Sequence, residues 1–168
     1  MVRTPWLSQH SCARCSRANE HRPLFVAEQA VSQVFAIKAE ISDPTPKALT
    51  FREQKTMYGG KRIAKGDLIF VFASENEGGT GLVAKGIVSE VEPTAKKLGI
   101  DRQTPRVSIT IECTALAKRH LGRGELKPFC DWNDGRPETE LNFKFYRQAT
   151  NKIVGISAGA AAFLGSFF

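Results

Sequence analysis

Between residues 106 and 114 the chain alternates apolar and polar positions, placing Val107, Ile109, Ile111 and Cys113 on one face of an extended strand. A single strand with one apolar face is not stable by itself and needs a sheet to cover that face. Other segments supply the sheet. Val34-Phe35-Ala36-Ile37 reads as a short buried strand running into Lys38-Ala39-Glu40, and Leu68-Ile69-Phe70-Val71-Phe72 follows the turn Lys65-Gly66-Asp67. Residues 82–91, 142–147 and 152–156 read as further strands. Helices are few. Asp43-Pro44-Thr45-Pro46 reads as a turn in which Thr45 caps a short helix, with Pro46 at its first position and its end near Met57. Ser157 caps a small apolar helix after the last strand. Several strands, few helices and Gly-rich connections predict an α+β fold built on a curved mixed sheet or small barrel.

Residues 1–33 are different in kind. They scatter Arg3, Arg14, Arg17 and Arg22 among Ser, His and Cys with no period, and read as a loosely ordered N-terminal extension before a domain at 34–168. His10, Cys12, Cys15 and His21 include a Cys-x2-Cys spacing suited to one tetrahedral zinc ion, but a second Cys pair is missing and the histidine spacing is wrong for a finger. Zinc on Cys12 and Cys15 is therefore the lesser reading, and neither a metal nor a cofactor is expected. Four cysteines at uneven spacing do not make a disulfide framework, and with no secretory signal they point to a reducing, cytoplasmic setting. No apolar run reaches the roughly 18 residues of a membrane span. Lys and Arg number 24 against 17 Asp and Glu, a net +7 carried mostly by the domain, which favours a polyanionic partner. Oligomeric state is not legible.

Few residues have the makings of catalysis. Glu75-Asn76-Glu77-Gly78-Gly79-Thr80-Gly81 lacks the Lys-Ser/Thr that a phosphate loop needs and lies between two strands, so it reads as a hairpin loop. Beyond the extension His120 is the single histidine, in the basic run Lys118-Arg119-His120, and no nucleophile–base pair includes it. Aromatic and basic residues interleave at Trp132, Phe143, Lys144, Phe145, Tyr146, Arg147 and Gln148. Trp132 lies in the polar loop Asp131-Trp132-Asn133-Asp134-Gly135, where it packs as a lid or stacks on a base.

Several segments, in order, resemble EVE domains of the PUA-like superfamily, which includes YTH and ASCH domains. These are Phe35-Ala36-Ile37-Lys38-Ala39-Glu40, the turn and strand Gly66 to Ser74, the strand around Gly86-Ile87-Val88-Ser89-Glu90-Val91, and Tyr146-Arg147-Gln148 with Lys152-Ile153-Val154-Gly155-Ile156-Ser157. Ile41 stands where that family usually has proline. The resemblance implies a small curved β-barrel with peripheral helices and a pocket for a flipped, modified nucleobase. It implies base or nucleic-acid contacts from Lys38, Glu40, Ser42, Ser74, Glu75, Asn76, Trp132, Arg147 and Gln148, with Lys118, Arg119 and Lys144 facing phosphates.

Two functions follow from it. The first is a non-catalytic reader of RNA or DNA, holding one modified base. The alternative is an ASCH-type amidohydrolase acting on a modified nucleoside such as acetylated cytidine, with Lys38 and Glu75 as activating groups. The enzyme reading is weakened because no threonine stands beside Lys38.

Overall fold

The computed structural model describes residues 33–168 apart from 97, 100, 101 and 149. The expected extension, including Cys12 and Cys15, lies outside the described residues except for Gln33.

Six strands form: β1 (Val34–Ala39), β2 (Ala48–Met57), β3 (Leu68–Ala73), β4 (Gly81–Pro93), β5 (Arg106–Leu116) and β6 (Lys152–Ile156). They close into a barrel in the order β1-β3-β4-β5-β2-β6. The pairs β1/β3 and β2/β6 are parallel and the other four are antiparallel, so the barrel is mixed. Alternation decides which residues fill it. Phe35, Ile37, Ile69, Val71, Ile109 and Ile111 point inward with Leu49, Phe51, Val88 and Ile153 from the remaining strands.

The opposite phase of β1, β3 and β6 is also apolar, which requires a second layer. Ala36, Phe70, Phe72, Val154 and Ile156 are covered by α2 (Pro137–Phe145) and α3 (Ala158–Gly165), chiefly by Leu141, Phe145, Ala160 and Leu164. A one-turn helix, α1 (Arg123–Leu126), adds Leu126 to the same layer. Gly81 opens β4 at φ 81°, in the left-handed region, and a Cβ there would lie 2.3 Å from the Leu121 carbonyl oxygen, so glycine is required twice over. Among the described residues no helix is long and apolar enough to cross a membrane.

Two expected elements change type. The segment predicted as a helix after Pro46 is β2, because Leu49 and Phe51 follow the two-residue period and are both buried. The Thr45 amide and hydroxyl both donate to Asp43 Oδ1, at 2.8 and 2.6 Å, closing a turn instead of capping a helix. The segment predicted as a strand at 142–147 belongs to α2 up to Phe145. Pro137 occupies its first turn with Glu138 and Glu140, and Leu141 and Phe145 bury at the i, i+4 spacing of a helix. Short apolar runs fit either period, and here the caps and the covering layer choose. Ser157 does cap α3, accepting the Ala160 amide at 3.1 Å.

Glu140 fastens this layer. Its Oε1 accepts from Lys144 Nζ at 2.7 Å and from the Ser157 amide at 2.9 Å, and its Oε2 accepts the Ser157 hydroxyl. Burial alone would raise its carboxyl pKa, but the bonds from Lys144 and Ser157 outweigh that and hold it below the ordinary 4.5. A carboxylate with a lowered folded pKa contributes stability above its unfolded value and loses it as the pH falls through the folded one. Glu140→Gln is expected to cost about 2–3 kcal/mol at neutral pH. The difference from wild type should shrink below pH 4.5, as read by urea titration at each pH.

Candidate functional site

Where β1 and β3 end side by side, the chain leaves the barrel and opens a cleft of about 650 Å³. Its walls are Ala39 and Glu40 after β1, Ser74, Asn76 and Glu77 after β3, Thr150 and Asn151 before β6, and the β2 stretch 50–55. Each wall has a local cause. The Ser74 amide donates to the Ala39 carbonyl at 2.7 Å, tying the ends of the parallel pair together. A single 3-10 turn at Glu75–Glu77 then reverses the chain into β4. Asn151 Nδ2 donates to both Glu77 carboxylate oxygens, at 3.2 and 3.0 Å, and joins the turn to the start of β6.

The fourth wall is a bulge. Pairing of β2 with β5 shifts between Phe51 and Gln54, and Glu53 sits at φ 48°, a conformation uncommon outside glycine. Arg106 Nη1 donates to the Glu53 carbonyl at 2.7 Å, and the Glu53 amide donates to Ser108 Oγ at 3.1 Å. Arg52, Glu53 and Gln54 are thereby held at the cleft wall.

Ser74 links this cleft to a buried polar cluster behind it. Lys38 and Lys152 face each other across the β1/β6 pair and are 2% and 0% exposed. They share the outward phase of Ala36 and Val154, under the C-terminal end of α2. Lys38 Nζ lies 4.8 Å from the centre of the Tyr146 ring, and Lys152 Nζ donates to the Gln148 carbonyl at 3.1 Å. Two further polar groups lie beside Lys38, the Tyr146 side chain and the Glu75 carboxylate that faces it. The Ser74 hydroxyl, Glu75 Oε2 and the Tyr146 hydroxyl are the buried side-chain atoms without a hydrogen-bond partner among the described residues. Glu75 uses its other oxygen, Oε1, to accept the Arg123 amide at 2.6 Å.

The electrostatics follow from that crowding. Burial lowers the Lys38 pKa below 10.5, the Glu75 carboxylate pulls it back up, and Arg123 adds to the lowering. Burial also lowers Lys152, and the neighbouring Lys38 cation lowers it further. The Tyr146 hydroxyl is pushed far above its usual value, first by burial and then by the facing Glu75 carboxylate, although the two do not reach hydrogen-bond geometry. Unmade hydrogen bonds of this kind cost roughly 1–3 kcal/mol each, so their presence calls for a ligand or ordered water. Donors outnumber acceptors, which suits an acceptor-rich edge.

The expected site residues divide into groups. Glu40, Ser74 and Asn76 line the cleft, while Lys38 and Glu75 stand behind it. Ser42 is exposed in the bend after β1 and does not line the cleft. Gln148 meets the cluster through its backbone carbonyl, its side chain being exposed. Trp132 and Arg147 do not line this cleft and lie instead against Phe143. Lys118 and Arg119 hold the chain after α3: the Lys118 amide and Arg119 Nη2 donate to the carbonyls of Phe167 and Ser166 at 2.7 and 2.6 Å. Lys144, expected to face phosphate, is instead bound to Glu140 and to the Gly155 carbonyl at 2.7 Å, because the residue is helical and turned toward β6. Among the described residues no three His, Cys, Asp or Glu side chains gather as a metal site.

Lys152, Tyr146 and the β2 bulge were not anticipated. A signal for Lys152 did exist: a lysine at the head of the apolar strand Lys152–Ile156, in phase with two outward apolar residues, must be buried if a second layer covers that face.

No protein-family model matches this sequence, and no curated protein does. Solved structures do match by shape. The human THYN1 protein, in a complex with 5-methylcytosine-containing DNA, superposes with a TM-score of 0.56 at 14% identity over 80% of this chain and 96% of that one. The DUF55 domain of human thymocyte nuclear protein 1 gives 0.54 at 14% identity, covering 79% and 96%. A Pseudomonas syringae protein gives 0.52 at 18% identity, covering 80% and 99%. At such identities the likeness speaks for the fold alone: the closed mixed barrel with its outer helices is the fold these structures share, as the resemblance to EVE domains implied.

Proposed function

We propose that this domain is a nucleic-acid-binding module that receives one modified base in the cleft at the ends of β1 and β3. The observation that carries the reading is a set of three buried polar atoms, on Ser74, Glu75 and Tyr146, without a hydrogen-bond partner among the described residues, Tyr146 and Glu75 lying beside the buried Lys38 and Ser74 lining the cleft. A base removed from its stack brings a hydrogen-bonding edge, and that edge supplies the missing partners. The 5-methylcytosine DNA bound by the THYN1 protein of the same fold supports this choice of ligand class. The net positive charge supports a polyanion, with phosphates positioning the strand and the cleft reading the base.

Orphan hydroxyls allow a direct test, because removing them relieves the folded protein while depriving the ligand. Ser74→Ala and Tyr146→Phe are each expected to leave the urea midpoint unchanged or raised. Each should weaken binding of a 5-methylcytosine oligonucleotide roughly tenfold, the worth of about one hydrogen bond. Wild-type protein that binds methylated and plain strands equally at every salt concentration would reduce the reading to a basic surface.

A further inference from the structure

Trp132 and Arg147, absent from the cleft, form something of their own. Trp132 meets Phe143 edge-on with ring centres 5.5 Å apart, and Phe143 meets Tyr58 at 5.8 Å, giving a row of three aromatics. The Arg147 guanidinium lies 4.9 Å from the Phe143 ring and 5.9 Å from Trp132. The row ends near the buried cluster, since Lys152 Nζ is 5.7 Å from the Tyr58 ring. It is open to solvent at both ends: Trp132 is 45% and Tyr58 38% exposed. A concavity of about 270 Å³ adjoins it, lined by Trp132, Gly135, Arg136, Thr139, Glu140 and Phe143.

Two features set this row apart from ordinary surface aromatics. Tyr58 is held at φ 48°, a strained conformation for a bulky residue, and the strain places its ring on Phe143. The neighbouring acids are also engaged. Asp134 accepts the Arg136 amide at 2.9 Å and the Thr139 hydroxyl at 2.9 Å, Asp131 accepts the Asn133 amide at 3.3 Å, and Glu140 holds Lys144 and Ser157. Asp134 also lies 3.8 Å from the Arg136 guanidinium, which leaves Arg147 as the exposed cation of the row.

We propose that the Tyr58–Phe143–Trp132 row is a stacking shelf for a second, unpaired nucleotide, adjacent in the strand to the base held in the cleft, with Arg147 on its phosphate. This rests on the base-reading function above and adds that the ligand is single-stranded, or opened, on the shelf side. A flat apolar ring beside a guanidinium matches a base beside its phosphate, and stacking of this kind is indifferent to base identity.

The test uses the full chain in a Trp6→Phe background, which leaves Trp132 as its single tryptophan. Its fluorescence is followed against three probes: a single-stranded 5-methylcytosine oligonucleotide, the same strand with abasic sites on both sides of the methylated base, and the corresponding duplex. The intact single strand should quench Trp132. Abasic neighbours should abolish the quenching and weaken binding roughly 5- to 150-fold, the usual worth of one stacked base. Trp132→Ala should lose affinity to the same extent yet keep the wild-type ratio between methylated and plain strands. Tight binding without quenching, equal for abasic and intact strands, would overturn the shelf and leave the cleft reading standing. Quenching by the duplex equal to that by the single strand, or by a proline-rich peptide and not by nucleic acid, would overturn it too. Failure of all three probes to bind would remove the base-reading function, and the shelf with it.

Discussion

Phe72→Ala is expected to destabilise the domain by about 3–5 kcal/mol, as large-to-small changes at a buried aromatic do. Phe72 is fully buried on the outer face of β3, with its ring centre 4.9 Å from that of Phe145 in α2. It is one of the contacts through which the helical layer adheres to the barrel. It is also paired in register with Lys38 across β1/β3, so the cavity would open beside the polar cluster. Thermal unfolding should show a fall of roughly 10–20 °C. Ile109→Val, which removes one methylene from the barrel interior, should cost only about 0.5–1.5 kcal/mol. A Phe72→Ala loss under 1 kcal/mol would mean that the layer is held by its polar ties, Glu140 foremost.

The second large effect has opposite signs in folding and in binding. Lys38→Met keeps the length and apolar stem of the side chain and removes one of two facing buried cations. It is expected to stabilise the fold by about 1–2 kcal/mol, because the desolvation of Lys38 is no longer suffered and Lys152 loses a repulsive neighbour. The same change should weaken the methylated oligonucleotide by about 2–3 kcal/mol, the worth of a charged hydrogen bond, or roughly 30- to 150-fold. The pH dependence provides an independent check. Both lysines have folded pKa values below the ordinary 10.5, so the unfolded chain binds more protons in the window between the lowered values and 10.5. Wild-type stability should therefore rise with pH through that window and level off above it. In Lys38→Met the rise should be smaller, as urea midpoints across the alkaline range would show. A variant both less stable and unimpaired in binding would make Lys38 a structural cation balanced by Glu75.

Much of the barrel was readable in the chain because a period of two is a local property. The 106–114 alternation, the apolar run of β3 and the Lys-Gly-Asp turn before it each announce a strand without reference to the rest. The errors fell where local preference was balanced. The stretch after Pro46 has a plausible helix start, yet β2 is needed between β5 and β6 to close the sheet, and the inward pair Leu49 and Phe51 satisfies that need. The 142–147 stretch alternates acceptably as a strand, yet Pro137 and the i, i+4 pair Leu141 and Phe145 make it the helix that covers Phe72 and Val154.

The sequence by itself determined the inward faces of the strands, the capped last helix, the basic balance and the polar turn after β3 that carries Ser74, Glu75 and Asn76. Tertiary structure alone decided which of those polar groups share a site. Lys38 and Lys152 are 114 positions apart and meet because β1 and β6 pair antiparallel, a register that no local pattern contains. Trp132 was separated from the cleft for the same kind of reason: α2 carries Phe143 to the side, and Trp132 packs on it. Periodicity and capping act over one or two turns of chain, whereas a binding site is assembled by barrel closure, which brings together residues whose separation in sequence says nothing of their distance.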